Sequence, residues 1–167
     1  NSGTDIGHTY VLPAASVSVS TDTALATIDG TEVYDHAGTA LAIADLDGDG
    51  VSDLVVGVPM YDPAGFGGDP PGEAVIFYGP LPDAQTRADG TVLAGTEGDD
   101  EAGRYLLAPG DLDGDGRDDL VVGAPGAYES GPDHYGAAYV LTSLPETGAL
   151  ADAPAVVWGD TYDDRLG

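Results

Sequence analysis

Short runs of apolar, mostly β-branched residues recur along the chain, and clusters of Gly, Pro and Asp separate them. The runs Leu54 to Val58 and Leu120 to Ala124 are typical. Runs of this length, bounded by turn residues, predict β-strands. No segment keeps a 3.6-residue apolar period over three turns, so the pattern predicts almost no helix. The hydrophobic pattern therefore indicates an all-β fold.

The pattern repeats with a period of about 65 residues. The segment DLDGDGVSDLVVGVP at 45–59 returns as DLDGDGRDDLVVGAP at 111–125, an offset of 66. Two further landmarks recur at offsets of 64 and 65. One landmark comprises the segments 7–12, 72–77 and 136–141. The other comprises the segments 35–38, 100–103 and 163–167, the last with one extra residue. Three landmarks with a common period indicate a structural repeat.

Each period predicts four short strands, named A to D in chain order. They are 39–44, 54–58, 74–78 and 91–94 in the first complete repeat, and 104–108, 120–124, 137–141 and 155–158 in the second. Four strands per repeat of this length predict a blade of a β-propeller, with the four strands in one antiparallel sheet.

The repeats divide the chain into about two and a half blades. Residues 1–31 supply a C–D strand pair, at 8–12 and about 24–28, residues 32–97 and 98–162 supply two complete blades, and residues 163–167 begin another. Propellers close with about four to eight blades. Because open edges and apolar faces invite association, we expect the chain to self-associate or to form part of a longer propeller.

The charge is strongly one-sided, with 30 Asp and Glu residues against four Arg and no Lys, giving a formal net charge of −26. This excludes nucleic-acid binding as the main function and disfavours an anionic membrane surface, since both need clustered cations. No apolar run approaches the roughly 20 residues of a membrane span, so no membrane insertion is expected. The chain has no Cys, which excludes disulfides and thiol nucleophiles. Part of the negative charge is expected to meet bound cations.

The acidic loop between strands A and B is the strongest candidate site. Aspartates occupy positions 1, 3, 5 and 9 of both loops, which are Asp45, Asp47, Asp49 and Asp53 in loop 45–53, and Asp111, Asp113, Asp115 and Asp119 in loop 111–119. Carboxylates crowded this closely repel one another unless a hard cation neutralises them, and Ca²⁺ suits a flexible carboxylate-rich loop better than Mg²⁺. Position 7, which is Val51 or Arg117, can offer only its backbone carbonyl usefully. The sequence therefore predicts two Ca²⁺ sites, one in each complete blade.

An EF-hand begins in the same way, but it needs a Glu at position 12 and a following helix. Position 12 is Val56 or Val122, and a predicted strand follows. The EF-hand is therefore excluded. Because the two loops lie in different blades, we expect them to bind Ca²⁺ independently.

On these residues the repeat resembles the FG-GAP repeat of the integrin α-chain β-propeller and its bacterial relatives. The family pattern is Phe-Gly, then an Asp-x-Asp-x-Asp-Gly-x-x-Asp loop, then Gly-Ala-Pro. The last element is complete at 123–125 and has one substitution at 57–59, whereas the Phe-Gly element is weaker, with Ala-Gly or Leu-Gly at 37–38, 102–103 and 166–167. The resemblance implies a seven-bladed ring, structural Ca²⁺ loops on its lower face, and ligand binding on the opposite face through the B–C and D–A loops.

Aromatic residues supply the other candidates. In the long B–C loops, Tyr61, Phe66, Tyr128 and Tyr135 are expected either to form a recognition surface or to pack against neighbouring blades. In the predicted strands, four aromatic side chains are expected in the core, namely Tyr10, Tyr78, Tyr139 and Trp158. The three scattered His residues have no partner at metal-ligand spacing.

Nothing in the sequence selects a catalytic group, so we do not expect an enzyme. We expect a non-catalytic calcium-binding module of a secreted or cell-surface protein, acting in adhesion or protein–protein interaction with a protein or glycan ligand. The extracellular location follows from calcium, because millimolar concentrations outside the cell keep weak loops filled. The alternatives are a structural spacer and an accessory domain of a larger extracellular hydrolase.

Overall fold

The computed structural model describes residues 7–12, 24–30, 35–63, 69–82, 84–128, 135–145, 148–161 and 164–167. Within these ranges the chain forms eleven β-strands and no α-helix. The strands are β1 (His8–Val11), β2 (Ala26–Asp29), β3 (Leu41–Ala44), β4 (Asp53–Val58), β5 (Glu73–Phe77), β6 (Ala84–Thr86), β7 (Thr91–Ala94), β8 (Tyr105–Gly110), β9 (Asp119–Ala124), β10 (Ala137–Leu141) and β11 (Ala155–Trp158). Single turns of 3-10 helix lie at Arg87–Asp89 and Leu150–Asp152.

The strands form three sheets. Two are four-stranded and antiparallel, in the orders β3-β4-β5-β7 and β8-β9-β10-β11, and they are the two predicted complete blades. The third sheet has the order β1-β2-β6 and contains the predicted C–D pair. The predicted all-β fold with partial-propeller architecture is therefore confirmed.

Strand β6 was not predicted, and it ties neighbouring blades together. It lies in the connection between strands C and D of the first complete blade, yet it pairs in parallel with β2 of the preceding sheet. The second complete blade repeats the arrangement in shorter form, with an isolated parallel bridge from Ala149 to Ala94 at the end of β7. Each C–D connection therefore crosses to the outer strand of the blade before it.

The core lies between the sheets. All residues of β4 and β5 are buried, because both faces of these strands are covered. One apolar cluster fills the space between the two complete blades, and a smaller one fills the space between the β1-β2 pair and the first complete blade. Strands buried on both faces read as continuous apolar runs, which is why β4 and β9 are conspicuous in the sequence.

The aromatic residues expected in the core divide into two groups. Tyr139 is buried and packs edge-on against Trp158, with ring centroids 6.4 Å apart. Tyr10 is 41% exposed and Tyr78 is 37% exposed, so the expectation is wrong for these two. Tyr78 directly follows β5, so it lies beyond the paired strand, beside the first acidic loop.

The segment that begins each blade is a repeated turn. The Asp100 carboxylate accepts hydrogen bonds from the backbone N–H groups of Thr96 and Glu97, and the Asp164 carboxylate accepts the equivalent bonds from Asp160 and Thr161. The third copy of this landmark therefore starts at Asp164, with no extra residue, which corrects the alignment expected from sequence.

Apolar side chains remain exposed on strand A, the first edge strand, of both complete blades. Leu41 and Ile43 on β3 are 50% and 68% exposed, and Tyr105 and Leu107 on β8 are 58% and 59% exposed. Leu41 and Ile43 pair with Val56 and Leu54, which belong to the smaller core cluster, so they extend the face that turns towards the β1-β2 pair. Self-association through such faces stays a prediction.

An ion pair distinguishes the first complete blade from the second. Glu73, the first residue of β5, is 1% exposed and accepts two hydrogen bonds from the Arg87 guanidinium, at 2.5 and 2.7 Å. The same guanidinium lies 4.2 Å from the ring centre of Tyr61. Burial raises the pKa of Glu73, and the bonds from Arg87 oppose that shift. The second blade carries Ala137 and Leu150 at the equivalent strand and turn positions, both fully buried.

The chain thus contains its own apolar version of the pair, and this generates a prediction. Arg87→Leu alone leaves a buried unpaired carboxylate and should lower the free energy of unfolding by about 3–5 kcal/mol at pH 7. The double variant Glu73→Ala/Arg87→Leu should restore most of that loss. Urea unfolding followed by the fluorescence of Trp158 measures both.

The pH dependence provides the control. In the single variant the folded pKa of Glu73 is raised above its unfolded value, so the folded state binds the proton more tightly and becomes more stable as the pH falls. The deficit of the single variant relative to the double variant should therefore shrink below neutral pH. A deficit independent of pH would show that lost packing, rather than the buried charge, causes the instability.

Candidate metal centre

Each acidic loop connects strands A and B of one complete blade. The first loop leaves β3 after Ala44 and enters β4 at Asp53, and the second leaves β8 after Gly110 and enters β9 at Asp119. Position 9 is therefore the first residue of a central strand and is buried, with Asp53 2% and Asp119 1% exposed. The aspartates at positions 3 and 5 are exposed to solvent.

The first three aspartates of each loop converge. Their carboxylate oxygens lie within 4.8 Å of one another in both loops, in the sets Asp45, Asp47 and Asp49, and Asp111, Asp113 and Asp115. Three carboxylates this close repel one another electrostatically. A single cation can contact all three, because the span of the oxygens is compatible with metal–oxygen distances of 2.3–2.6 Å for Ca²⁺.

Backbone N–H groups hold the first aspartate in place. The Asp45 carboxylate accepts hydrogen bonds from Gly48, Asp49 and Gly50 at 2.9, 3.1 and 2.9 Å. The second loop repeats the pattern, with bonds to the Asp111 carboxylate of 2.6, 3.2 and 3.0 Å. Identical bonding in both loops shows that the local sequence determines the geometry.

The glycines at positions 4 and 6 allow this wrapping. Gly48 and Gly50 have φ values of +78° and +85°, and Gly114 and Gly116 have +83° and +92°. Residues with a Cβ rarely adopt this left-handed region, so only glycine fits without strain. The pattern Asp-x-Asp-Gly-Asp-Gly therefore encodes a tight loop with its carboxylates turned inwards.

The buried aspartates at position 9 differ between the blades. Both accept a bond from the N–H of residue 2 of their own loop, Leu46 or Leu112. The other oxygen of Asp53 accepts the Gly79 N–H at 3.0 Å, whereas Oδ1 of Asp119 is buried with no hydrogen-bond partner among the described residues. An unpaired buried carboxylate oxygen is costly, and a cation would compensate it.

The donor set fits Ca²⁺. Each loop offers three converging carboxylates and a buried fourth, all of them oxygen donors. Position 7 carries a different side chain in each loop. The backbone N–H groups of the two residues there, Val51 and Arg117, donate to Asp49 and Asp115. A ligand role for the carbonyl groups of these two residues stays a prediction. Position 12, Val56 or Val122, is a buried strand residue, which confirms that the loops are not EF-hands.

The two loops contact each other directly, which the sequence did not predict. The Asp45 N–H donates to Oδ2 of Asp118 at 2.9 Å, and the Asp118 N–H donates to the Asp45 carbonyl at 2.9 Å. A cavity of about 180 Å³ lies beside this contact, and Asp47, Tyr78 and Arg117 are among its lining residues. Burial raises the pKa of Tyr78, and the negative charges of Asp53 and Asp47 add to the shift. The expectation of independent Ca²⁺ binding assumed that loops in different blades do not touch, and this contact shows that they do.

The remaining candidates are more ordinary. Tyr61 packs on Arg87, which favours the packing interpretation for that residue. The Tyr128 hydroxyl lies 3.5 Å from a Glu97 carboxylate oxygen, and Tyr135 is partly buried. Phe66 and His134 lie outside the described residues. His8 pairs with Asp29 at 2.8 Å, away from both loops.

Comparison with known proteins gives a consistent result. The model of the FG-GAP repeat family matches residues 37–77 and 103–141, which span both acidic loops. The chain is 32% identical to integrin alpha-PS2 of Drosophila melanogaster over 133 residues, covering 78% of this chain and 9% of that protein. It is 32% identical to integrin alpha-IIb of Homo sapiens over 130 residues, covering 77% and 12%.

A relative of another kind also matches. The chain is 35% identical to phosphatidylinositol-glycan-specific phospholipase D of Rattus norvegicus over 137 residues, covering 77% of this chain and 16% of that protein. The chain spans about a tenth of the length of the curated relatives it matches. Among the described residues, no helix has the length and apolarity needed to span a membrane.

The unequal position-9 aspartates generate a prediction that compares the two loops. In the presence of chelator, Asp53→Asn places an amide group against an N–H donor and should lower the free energy of unfolding by about 1–3 kcal/mol. Asp119→Asn removes an uncompensated charge and should cost less. In saturating Ca²⁺ the Asp119→Asn variant should lose most of the stabilisation that Ca²⁺ gives through the second loop. An Asp119→Asn variant that keeps the full stabilisation by Ca²⁺ would contradict a cation contact at Asp119.

Proposed function

The chain belongs to the FG-GAP repeat family, and on that premise we propose that it is a calcium-stabilised, non-catalytic propeller module of an extracellular or cell-surface protein. One Ca²⁺ ion is held in each acidic loop, by Asp45, Asp47, Asp49 and Asp53 with the Val51 carbonyl, and by Asp111, Asp113, Asp115 and Asp119 with the Arg117 carbonyl. The observation that carries the proposal is the convergence of three carboxylates in both loops. The buried, unpaired Asp119 oxygen supports it.

The role of the ion in this proposal is structural. Each loop joins strand A, at the edge of the sheet, to the fully or almost fully buried strand B, so its geometry fixes how those two strands meet. The ion would supply the positive charge that lets three carboxylates and a buried fourth share one turn. Backbone N–H groups of each loop orient the carboxylates, and this structural role involves no chemical reaction at the site.

Adhesion or protein–protein interaction is the function that this scaffold supports best. The matches to integrin α-chains favour it, and the module would present a protein or glycan ligand site on its connecting loops. A screen of the folded, Ca²⁺-loaded chain on a glycan array, alongside affinity capture of extracellular proteins, tests it. Ca²⁺-dependent binding to one ligand class supports a recognition role, and binding to neither favours a structural spacer.

The phospholipase D match favours a second candidate, an accessory domain within a larger extracellular hydrolase. In that case the chain itself still carries no catalytic group, and it would position a neighbouring catalytic domain. The two candidates differ in the ligand the chain binds when tested alone. Phosphodiesterase activity of the isolated chain on a phosphatidylinositol-glycan would contradict both, because both place catalysis outside this sequence.

The structural role of calcium generates a melting prediction. A ligand that binds only the folded state stabilises it by about 2.7 kcal/mol per site at 100 times its dissociation constant. Two filled loops should therefore raise the melting temperature by on the order of 10 °C relative to chelator, for a domain of this size. Differential scanning calorimetry with Ca²⁺, with chelator and with Ca²⁺ restored measures the effect.

The control separates site binding from charge screening. A chain with a net charge of −26 is stabilised by any salt, because counterions reduce its self-repulsion. NaCl at matched ionic strength should therefore raise the melting temperature only slightly compared with Ca²⁺. An equal rise in NaCl, or an unchanged melt after complete metal removal, would show that the loops do not hold structural calcium.

A further inference from the structure

The contact between the two acidic loops is reciprocal and close. The Asp45 backbone donates to the Asp118 side chain, and the Asp118 backbone donates to the Asp45 carbonyl, both at 2.9 Å. The two bonds close a ring that fixes the position and orientation of one residue relative to the other. Asp45 directly follows β3 in the first complete blade, and Asp118 directly precedes β9 in the second, so the ring joins different blades.

Both residues occupy sensitive positions in their loops. Asp45 is position 1 of the first loop, and its carboxylate binds three N–H groups of that loop. Asp118 is position 8 of the second loop, between Arg117 at position 7 and Asp119 at position 9. Asp119 carries the buried, unpaired oxygen, and its other oxygen is bonded to the second loop through Leu112. A shift of Asp118 therefore moves two proposed ligand positions of one loop and the first residue of the other.

A second contact reinforces the first. A Cβ placed on Gly48 would lie 3.2 Å from the Arg117 Cγ, so the Arg117 side chain lies against the first loop. The Arg117 backbone N–H donates to Asp115 in the second loop at 2.8 Å. Arg117 thus touches both loops, one through its side chain and one through its main chain.

We propose that Asp118 links the two loops into one cooperative unit, so that a divalent cation bound in either loop raises the affinity of the other. The inference rests on the proposed calcium sites. The cause is ordering of the backbone. A cation in one loop fixes the backbone of that loop, and the Asp45–Asp118 ring passes this order to the other loop. Binding of the second cation then costs less conformational entropy. Repulsion between the two cations opposes this effect, but the carboxylates of each loop neutralise the charge of the cation they hold.

The first loop lacks an acidic side chain at the position equivalent to Asp118. Its position 8 is Ser52, a side chain one carbon shorter that carries no charge. Asp118→Ser therefore installs the chain's own alternative at the same position. Asp118→Asn is the matched control, because it keeps the length and the acceptor oxygen of the side chain and removes only the charge.

The experiment is a calorimetric Ca²⁺ titration of the whole chain in a double-mutant cycle. Asp47→Ala empties the first loop, and it is measured alone and combined with Asp118→Ser or Asp118→Asn. In the otherwise unchanged chain, Asp47→Ala should weaken Ca²⁺ binding at the second loop by at least about fivefold, the lower end of usual coupling energies. In the Asp118→Ser background it should leave the second loop unchanged, and in the Asp118→Asn background the fivefold loss should persist. Far-ultraviolet circular dichroism of every variant checks that it is folded.

The outcomes separate this inference from the calcium sites themselves. Two Ca²⁺ ions bound with no effect of Asp47→Ala on the second loop would overturn the coupling and leave the proposed sites standing. The same fivefold loss in the Asp118→Ser background would show that the link does not run through Asp118 and would also overturn it. Behaviour of Asp118→Asn like that of Asp118→Ser would assign the effect to charge and overturn the hydrogen-bonded ring. No binding heat and no Ca²⁺-dependent melt in the unaltered chain would overturn the proposed sites and the coupling together.

Discussion

The close approach of neighbouring blades is the constraint on which the rest of the structure depends. Strands β4 and β5 are buried on both faces, so the first complete blade has neighbouring residues within van der Waals contact on either side. Glycine makes that approach possible, since a Cβ on Gly57 would lie 2.0 Å from the carbonyl oxygen of Gly103 in the next blade. Gly123 meets Gly167 in the same way, with a Cβ position 2.5 Å from its carbonyl carbon. The glycine of Gly-x-Pro and the glycine that begins the next blade therefore form one repeated junction.

The same constraint brings the two acidic loops together. Each loop follows an A strand, and the A strands of the two complete blades, β3 and β8, contact each other, so two loops of similar design lie close together. Their contact at Asp45 and Asp118 is then a consequence of blade packing, with one acidic side chain added to make it specific. Negative charge gathered at one edge is unfavourable without counterions, because like charges at short range repel. Packing that stabilises the core thus creates the electrostatic demand that a bound cation would meet.

Features repeated in the sequence were the ones that could be predicted. The strands A to D, the repeat period and the converging aspartates follow from local patterns that occur twice, so the fold class and the loop residues were accessible. Strand β6 was missed because Ala84, Gln85 and Thr86 carry no apolar period, and their pairing with β2 is made across blades. The Asp45–Asp118 contact was missed for a similar reason, since 73 residues separate its members and the equivalent of Asp118 in the first loop, Ser52, is not acidic. Tyr10 and Tyr78 were assigned to the core because the predicted strands 8–12 and 74–78 contain them, although exposure depends on which neighbour covers a given face.

The two complete blades differ in chemistry at a position where no cation is proposed. At the start of strand C one blade uses the buried pair of Glu73 and Arg87 and the other uses Ala137 and Leu150, two chemically unrelated solutions to the same packing problem. The acidic loops, in contrast, agree at positions 1 to 6 and at position 9, and both show the same bonds to the first aspartate. Packing alone therefore does not require the same residues in both blades, so the agreement between the loops reflects a stricter structural requirement. Coordination of a hard cation is such a requirement, because it fixes the positions of oxygen atoms rather than the volume of side chains. Position 7 can vary under it if only its carbonyl is used, and position 8 can vary because it is not among the proposed ligands.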